Sequence, residues 1–336
     1  MLRDYGTLRS GSRIALCLLV AVVGLACGHG ASEEATEATA EEGGVVMAVP
    51  DIQATNAFYY YSDLDAAWAF YTDVLGLETV ADYGFAKILQ VAEASYLTLV
   101  DAAQGMHTAE EPKSVTFAFV TDEVEGWWDY LSAAGVPMRA DFDFSEGRPH
   151  DGFVAIDPEG YYLEFERFNP HPENVDLLPR LSEVEPLYSD GGGSRPGELG
   201  IRATVFWLYY DDLEPMQRFY EELLGVGLLV DQGWAKIYPA SRTGYIGLVA
   251  GARGLHRATE EKGVTISLFT SEVDTWFARV QESGSVELRS QEVSDESEIV
   301  RVFVGYDPGG YFLEWDTFLD VESNERLLRL LAGGGI

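Results

Sequence analysis

Cysteine is nearly missing from this chain. Only Cys17 and Cys27 occur in 336 residues, so no disulfide framework holds the mature fold and hydrophobic cores must do so. Basic residues are scarce as well: 22 Lys and Arg stand against 56 Asp and Glu, a formal net charge of −34. A phosphate-binding surface needs clustered cations, so this balance argues against a nucleic-acid partner. The acidity reads instead as a solvated, self-repelling surface that keeps the protein in solution. Long apolar runs are absent apart from Ile14–Ala26 (IALCLLVAVVGLA). That run is short for a membrane span and, behind Arg3, Arg9 and Arg13, fits the apolar region of an export signal. Apolar residues still make up 47% of the chain and charged ones 23%, the balance of a globular protein.

What the chain does have is a repeat. Ala54-Thr55 returns as Ala203-Thr204, 149 residues on, and the match continues through Phe70-Tyr71 and Phe219-Tyr220, Leu75-Gly76 and Leu224-Gly225, and Ala86-Lys87-Ile88 and Ala235-Lys236-Ile237. His107 returns as His256 and Lys113 as Lys262; after one inserted residue Asp157-Pro158 returns as Asp307-Pro308. A period this long is a duplicated domain rather than a solenoid unit. Inside each copy a fainter repeat aligns Asp63, Trp68, Tyr71 and Gly76 with Asp122, Trp127, Tyr130 and Gly135. Four units result. Each has the length of one βαβββ module, which leaves a sheet face open and must pair to bury it.

The local patterns agree. The run at 56–61 (NAFYYY) reads as a strand. Asp63 is placed to cap a helix whose apolar stripe is Ala67, Trp68, Phe70, Tyr71, Val74 and Leu75, and Gly76 ends it. Strands are expected near 78–82, 86–91, 96–101, 115–120, 136–140, 152–157 and 161–167, with a helix over 123–134. Helices over 213–224 and 272–282 repeat the order. Residues 169–200, with five prolines and Gly191-Gly192-Gly193, read as a linker, and 325–331 as a terminal amphipathic helix.

Two resemblances follow from these residues. Leu25-Ala26-Cys27 resembles a bacterial lipoprotein lipobox, with Gly24 in place of the usual Leu. It implies a signal peptide over 1–26, a lipid on Cys27, a disordered acidic tether over 27–50, and anchoring in the cell envelope at the periplasmic face of the outer membrane. The segments Asp63-Leu64…Phe70-Tyr71…Leu75-Gly76 and Asp157-Pro158-Glu159-Gly160-Tyr161…Leu163-Glu164, with their second copies, resemble the vicinal oxygen chelate superfamily of glyoxalase I, bleomycin-resistance proteins and extradiol dioxygenases. The resemblance implies an α+β fold of two tandem domains, 51–168 and 200–320, each of paired βαβββ modules, joined by 169–199 and followed by 321–336.

Metal-using members of that family hold a divalent ion with four side chains, one from each of four strands. The corresponding places here carry Asn56, Thr98, Val115 and Glu164 in the first copy, and Val205, Gly247, Val264 and Glu314 in the second. One carboxylate per copy would not hold a transition metal against water. No metal and no other cofactor is therefore expected. The first copy is the richer one, and a working cleft is expected there. Glu164 and His150 form a candidate acid–base pair, and Asn56, Lys87, Phe58, Phe117 and Arg148 are candidate ligand contacts. Glu164 also reads as a fold residue, paired with Lys87 or a backbone donor, and its return as Glu314 in the copy without His150 favours that reading. His107 and His256 read as connector supports. The expected function is metal-free binding of a small organic molecule. A lyase or isomerase using Glu164 and a non-catalytic interaction protein with closed clefts remain as alternatives.

Overall fold

The computed structural model describes residues 48–333 apart from 143, 145 and 146. The expected signal segment, Cys27 and tether residues 27–47 lie outside the described residues. Among those described, no helix is long and apolar enough to cross a membrane.

Four modules follow one another. The first has β1 (Ala54–Tyr61), α1 (Leu64–Ala69), β2 (Glu78–Asp82), β3 (Ala86–Ala92) and β4 (Ser95–Asp101). The second has β5 (Val115–Val120), α2 (Val124–Ala133), β6 (His150–Ile156) and β7 (Tyr162–Phe168). The strand expected near 136–140 is reduced to one bridge, Met138 to Ala155. Pro137 has no N–H to extend a ladder there, although its carbonyl accepts from the Ile156 amide at 2.8 Å. After α3 (Leu177–Ser182), the third module has β8 (Ala203–Tyr210), α4 (Leu213–Leu224), β9 (Val230–Asp231), β10 (Ala235–Pro239) and β11 (Gly244–Ala250). The fourth has β12 (Val264–Phe269), α5 (Val273–Ser283), β13 (Glu287–Leu288), β14 (Ser294–Glu296), β15 (Val300–Tyr306) and β16 (Phe312–Phe318), and α6 (Glu325–Leu331) closes the chain.

The α+β class and the paired modules are as expected, but the partners come from opposite copies. β1 runs antiparallel to β12, with Asn56 opposite Ser267. β5 runs antiparallel to β8, with Ala118 opposite Val205. One sheet is ordered β13-β15-β16-β12-β1-β4-β3-β2, with β14 on β15, and the other β6-β7-β5-β8-β11-β10-β9. Modules one and four build the first sheet; modules two and three build the second. A single buried cluster, including Tyr59, Phe117, Trp127, Phe206, Trp276 and Trp315, draws on all four.

The helices form for local reasons. Asp63 caps α1 by accepting from the Ala66 amide at 3.0 Å. The helix then widens: the Leu75 amide reaches back five residues to the Phe70 carbonyl, a π-turn. Gly76, at φ +62°, ends it in a conformation that a Cβ would strain. α4 stays α-helical throughout and buries Met216, Phe219, Tyr220, Leu223 and Leu224, a stripe at i, i+3, i+4, i+7 and i+8.

The Asp-Pro turns lock the modules together. Asp157 takes hydroxyl protons from Tyr61 at 2.7 Å and Tyr71 at 3.0 Å, and backbone N–H groups from Glu159 and Tyr161. Tyr161 accepts from the Tyr60 amide and donates to the Gly263 carbonyl, joining the first, second and fourth modules. Asp307, Tyr210, Tyr220 and Tyr311 repeat the arrangement. The segment between the copies is also packed. Buried Arg195 donates to the carbonyls of Leu75, Leu187 and Leu199 and lies over the Trp127 ring.

Candidate functional site

Each sheet has a core face under the helices and a cleft face, and strand alternation assigns the side chains. On β12, Val264, Ile266 and Leu268 join the core, so Thr265 and Ser267 face the cleft. On β5, Val115, Phe117 and Phe119 join the core, so Thr116 and Ala118 face the cleft. The expected parity was off by one residue on these two strands. Val115 and Val264 are not cleft positions, and Phe117 stacks on Phe206 in the core at 4.7 Å rather than meeting a ligand.

The candidates from the first copy are divided between two clefts. Asn56, Phe58 and Thr98 belong to the first sheet; Glu164 and His150 belong to the second and line a cavity of about 400 Å³ there. Lys87 joins neither lining. Its Nζ is paired with Asp82 at 2.7 Å and lies 4.5 Å from the Trp68 ring, because Ala86 and Ile88 take the cleft side of β3. It therefore does not pair with Glu164. Arg148 lies outside both linings; its charge helps to lower the pKa of His150. His107 bonds Glu111 at 2.6 Å and packs edge-on against Tyr60 and Phe312, which supports the connector. His256 stacks on Tyr162, and burial, then the Arg139 charge, lowers its pKa to about 4.

The Glu164 cleft is polar at its floor and aromatic at its walls. Glu164 and Glu166 share the cleft face of β7 with Trp207, Tyr209 and Trp234 around them, and Arg139, Arg253, Gln232 and His150 also line it. Arg253 lies 5.0 Å from the Trp234 ring and Arg139 5.7 Å from the Tyr162 ring. Burial raises the pKa of Glu164 to about 7. Burial and the Glu164 charge push Glu166 well above the usual carboxylate range, with the Trp207 indole acting the other way. Burial lowers the pKa of His150; the register sets it opposite Phe168, four residues along β7 from Glu164, so the two line one cavity without forming the acid–base pair expected from sequence.

The Glu314 cleft is the pseudo-symmetric counterpart, about 250 Å³ in volume. Thr98 donates to Asn56 Oδ1 at 3.0 Å, and Asn56 Nδ2 is buried without a partner. Ser267 donates to Asp316. Burial and the Asp316 charge raise Glu314 well above the carboxylate range, while the Ser267 and Glu314 hydrogen bonds restrain the rise at Asp316. Both clefts are open, unlike the closed clefts considered from sequence.

The sequence reading missed Glu166, Asp316, Ser267 and Arg139. A signal for the first two was present: Glu164-Phe165-Glu166 and Glu314-Trp315-Asp316 place two acids two residues apart on a strand, hence on one face.

Residues 44–165 match the Glyoxalase/Bleomycin resistance protein/Dioxygenase superfamily. This stretch is the first copy, and the second repeats it. No curated protein gives a match. Among solved structures, glyoxalase I from Zea mays is 17% identical, covers 84% of this chain and 96% of its own, and superposes with a TM-score of 0.56. A candidate dioxygenase from Bacillus subtilis subsp. subtilis str. 168 is 15% identical, covers 83% and 88%, and also scores 0.56. These likenesses establish the glyoxalase-like fold.

The divalent ion associated with that superfamily does not fit the residues present. The strand register places Asn56, Thr98, Ser267 and Glu314 around the first floor, and Val205, Gly247, Ala118 and Glu164 around the second. In the second, three of the four carry no donor side chain. A Cβ on Gly247 would collide with the Trp207 ring, so the indole occupies the room that a ligating side chain would need. In the first, the amide and hydroxyls are weak transition-metal ligands, and Thr98 and Ser267 already donate to neighbours. Among the described residues no group of three or more His, Cys, Asp or Glu converges as a metal site.

Proposed function

We propose that this chain binds a small planar organic molecule in the Glu164 cleft without a metal, displayed from the envelope on a lipid at Cys27. The carrying observation is Trp207 laid across Gly247, which turns a superfamily ion position into an aromatic platform. Aromatic walls supply apolar area, and a few convergent polar groups orient the ligand. Arg139 and Arg253 favour a partial or full negative charge, and protonated Glu166 can donate a hydrogen bond to it. Benzoate is a suitable probe, followed by quenching of tryptophan fluorescence in the full chain. Saturable binding unchanged by EDTA, and lost in Trp207→Ala, supports the reading. Binding that EDTA abolishes and one equivalent of zinc or nickel restores overturns it.

A second reading is supported by the raised pKa of Glu164. A carboxyl that titrates near neutrality at the floor of an open cavity suits proton transfer, as a lyase or isomerase requires. Deuterium exchange at an acidic C–H of a bound ligand, followed by NMR, tests it. Glu164→Gln should stop catalysed exchange; exchange at an unchanged rate removes Glu164 from the chemistry.

A further inference from the structure

The two clefts share one architecture and differ in charge. The Glu164 cleft is lined by two arginines and a histidine. No lysine, arginine or histidine is among the described residues lining the Glu314 cleft. Its floor carries Glu314 and Asp316, its walls are Phe58, Tyr60, Ile88 and Val100, and Phe85 and Met106 stand exposed at its rim. Asp316 is almost wholly buried, whereas Glu314 keeps part of its surface open to the cavity. A second observation points to a ligand: directly behind Thr98, which lines the cavity, fully buried Asn56 holds an amide N–H group with no acceptor.

We infer that the Glu314 cleft is a separate site for a small apolar or aromatic ammonium ligand with an oxygen next to its nitrogen. The ammonium would sit on Glu314 and Asp316, the oxygen would accept from Asn56 Nδ2, and the apolar body would lie between Phe58 and Ile88. Two carboxyls two residues apart on one strand face, with no lysine, arginine or histidine among the described residues lining their cavity, offer acceptors for a charge-assisted hydrogen bond from a ligand. Among the described residues none supplies it: Lys87, on the neighbouring β3, is turned away to Asp82. This goes beyond the Glu164 reading and is independent of it, since the two cavities have separate linings.

The test uses three probes of matched shape: 2-amino-1-phenylethanol, 1-phenylethane-1,2-diol and mandelate. They carry an ammonium, a hydroxyl and a carboxylate at one position. Calorimetric titration of the full chain at neutral pH should show the amine binding at least about tenfold more tightly than the diol, roughly 1.4 kcal/mol, with mandelate weaker at this site. Asp316→Asn should cost the amine about tenfold. Ile88→Trp, which fills the cavity, should abolish its binding while benzoate still binds the Glu164 cleft, and it keeps the test open if the Asp316 variant does not fold. Equal affinity for amine and diol, or amine binding untouched by Ile88→Trp, overturns the inference. So does a stoichiometric divalent ion retained at Glu314 through dialysis. Loss of benzoate binding alone counts against the Glu164 reading only.

Discussion

At the scale of single residues, the chemistry is set by how far a carboxyl lies from water. Glu164 has its pKa raised in the folded protein, so the native state holds its proton more tightly than the unfolded chain does. Its contribution to stability is present at low pH and is lost as pH rises from the ordinary carboxylate range through the folded pKa. Glu164→Gln should therefore flatten the pH dependence. Urea melts should show the variant gaining on the order of 1–3 kcal/mol relative to the parent between pH 5 and pH 8; parallel curves would mean that burial does not hold the proton. Gly247→Ala is a second case. The added methyl meets the Trp207 ring, so the indole must move, and benzoate affinity should fall about tenfold or more in the fluorescence titration. Glu164 and His150, singled out from sequence as an acid–base pair, line one cavity but stand four residues apart in register. The sequence reading missed Glu166 and Asp316 because attention fell on one acid per strand, although spacing by two already placed the pairs on one face.

Among elements, the strands, helices and turns were largely legible, because each carries its own signal: aromatic alternation, an Asp cap, a glycine stop, an Asp-Pro turn. Which face of β5 and β12 looks inward was not. Both strands bury nearly every residue, so hydrophobicity does not separate the faces, and a one-residue shift in the reference position reversed them. That slip made Phe117 a ligand contact and hid Ser267. The turns make a sharper prediction. Tyr71→Phe removes one of two tyrosine hydroxyls from Asp157 and should cost about 1 kcal/mol. Tyr161→Phe leaves the Tyr60 amide and the Gly263 carbonyl short of a partner, and should cost about 1–3 kcal/mol. Equilibrium unfolding of the two variants side by side should show that order.

For the whole molecule, the repeat revealed that the copies are alike but not which edges meet. Likeness of sequence is shared by every possible pairing of the four modules, so the exchange between copies became visible only in the strand register. It follows that neither half owns a complete sheet. Calorimetry should give one unfolding transition for the described body, and proteolytic nicking between residues 185 and 193 should leave the two pieces co-migrating in native gel filtration. Two resolved transitions, or separation without denaturant, would mean that the β1–β12 and β5–β8 seams contribute little. The same interleaving has a consequence for how such a molecule diversifies. Two identical chains that cross over would be compelled to build the same floor twice; joining the copies in one polypeptide removes that symmetry. Val205 could then replace Asn56, and Trp207 could replace Phe58, at one basin while the other kept its amide, so the two basins of one molecule are free to diverge although each retains a pair of acids.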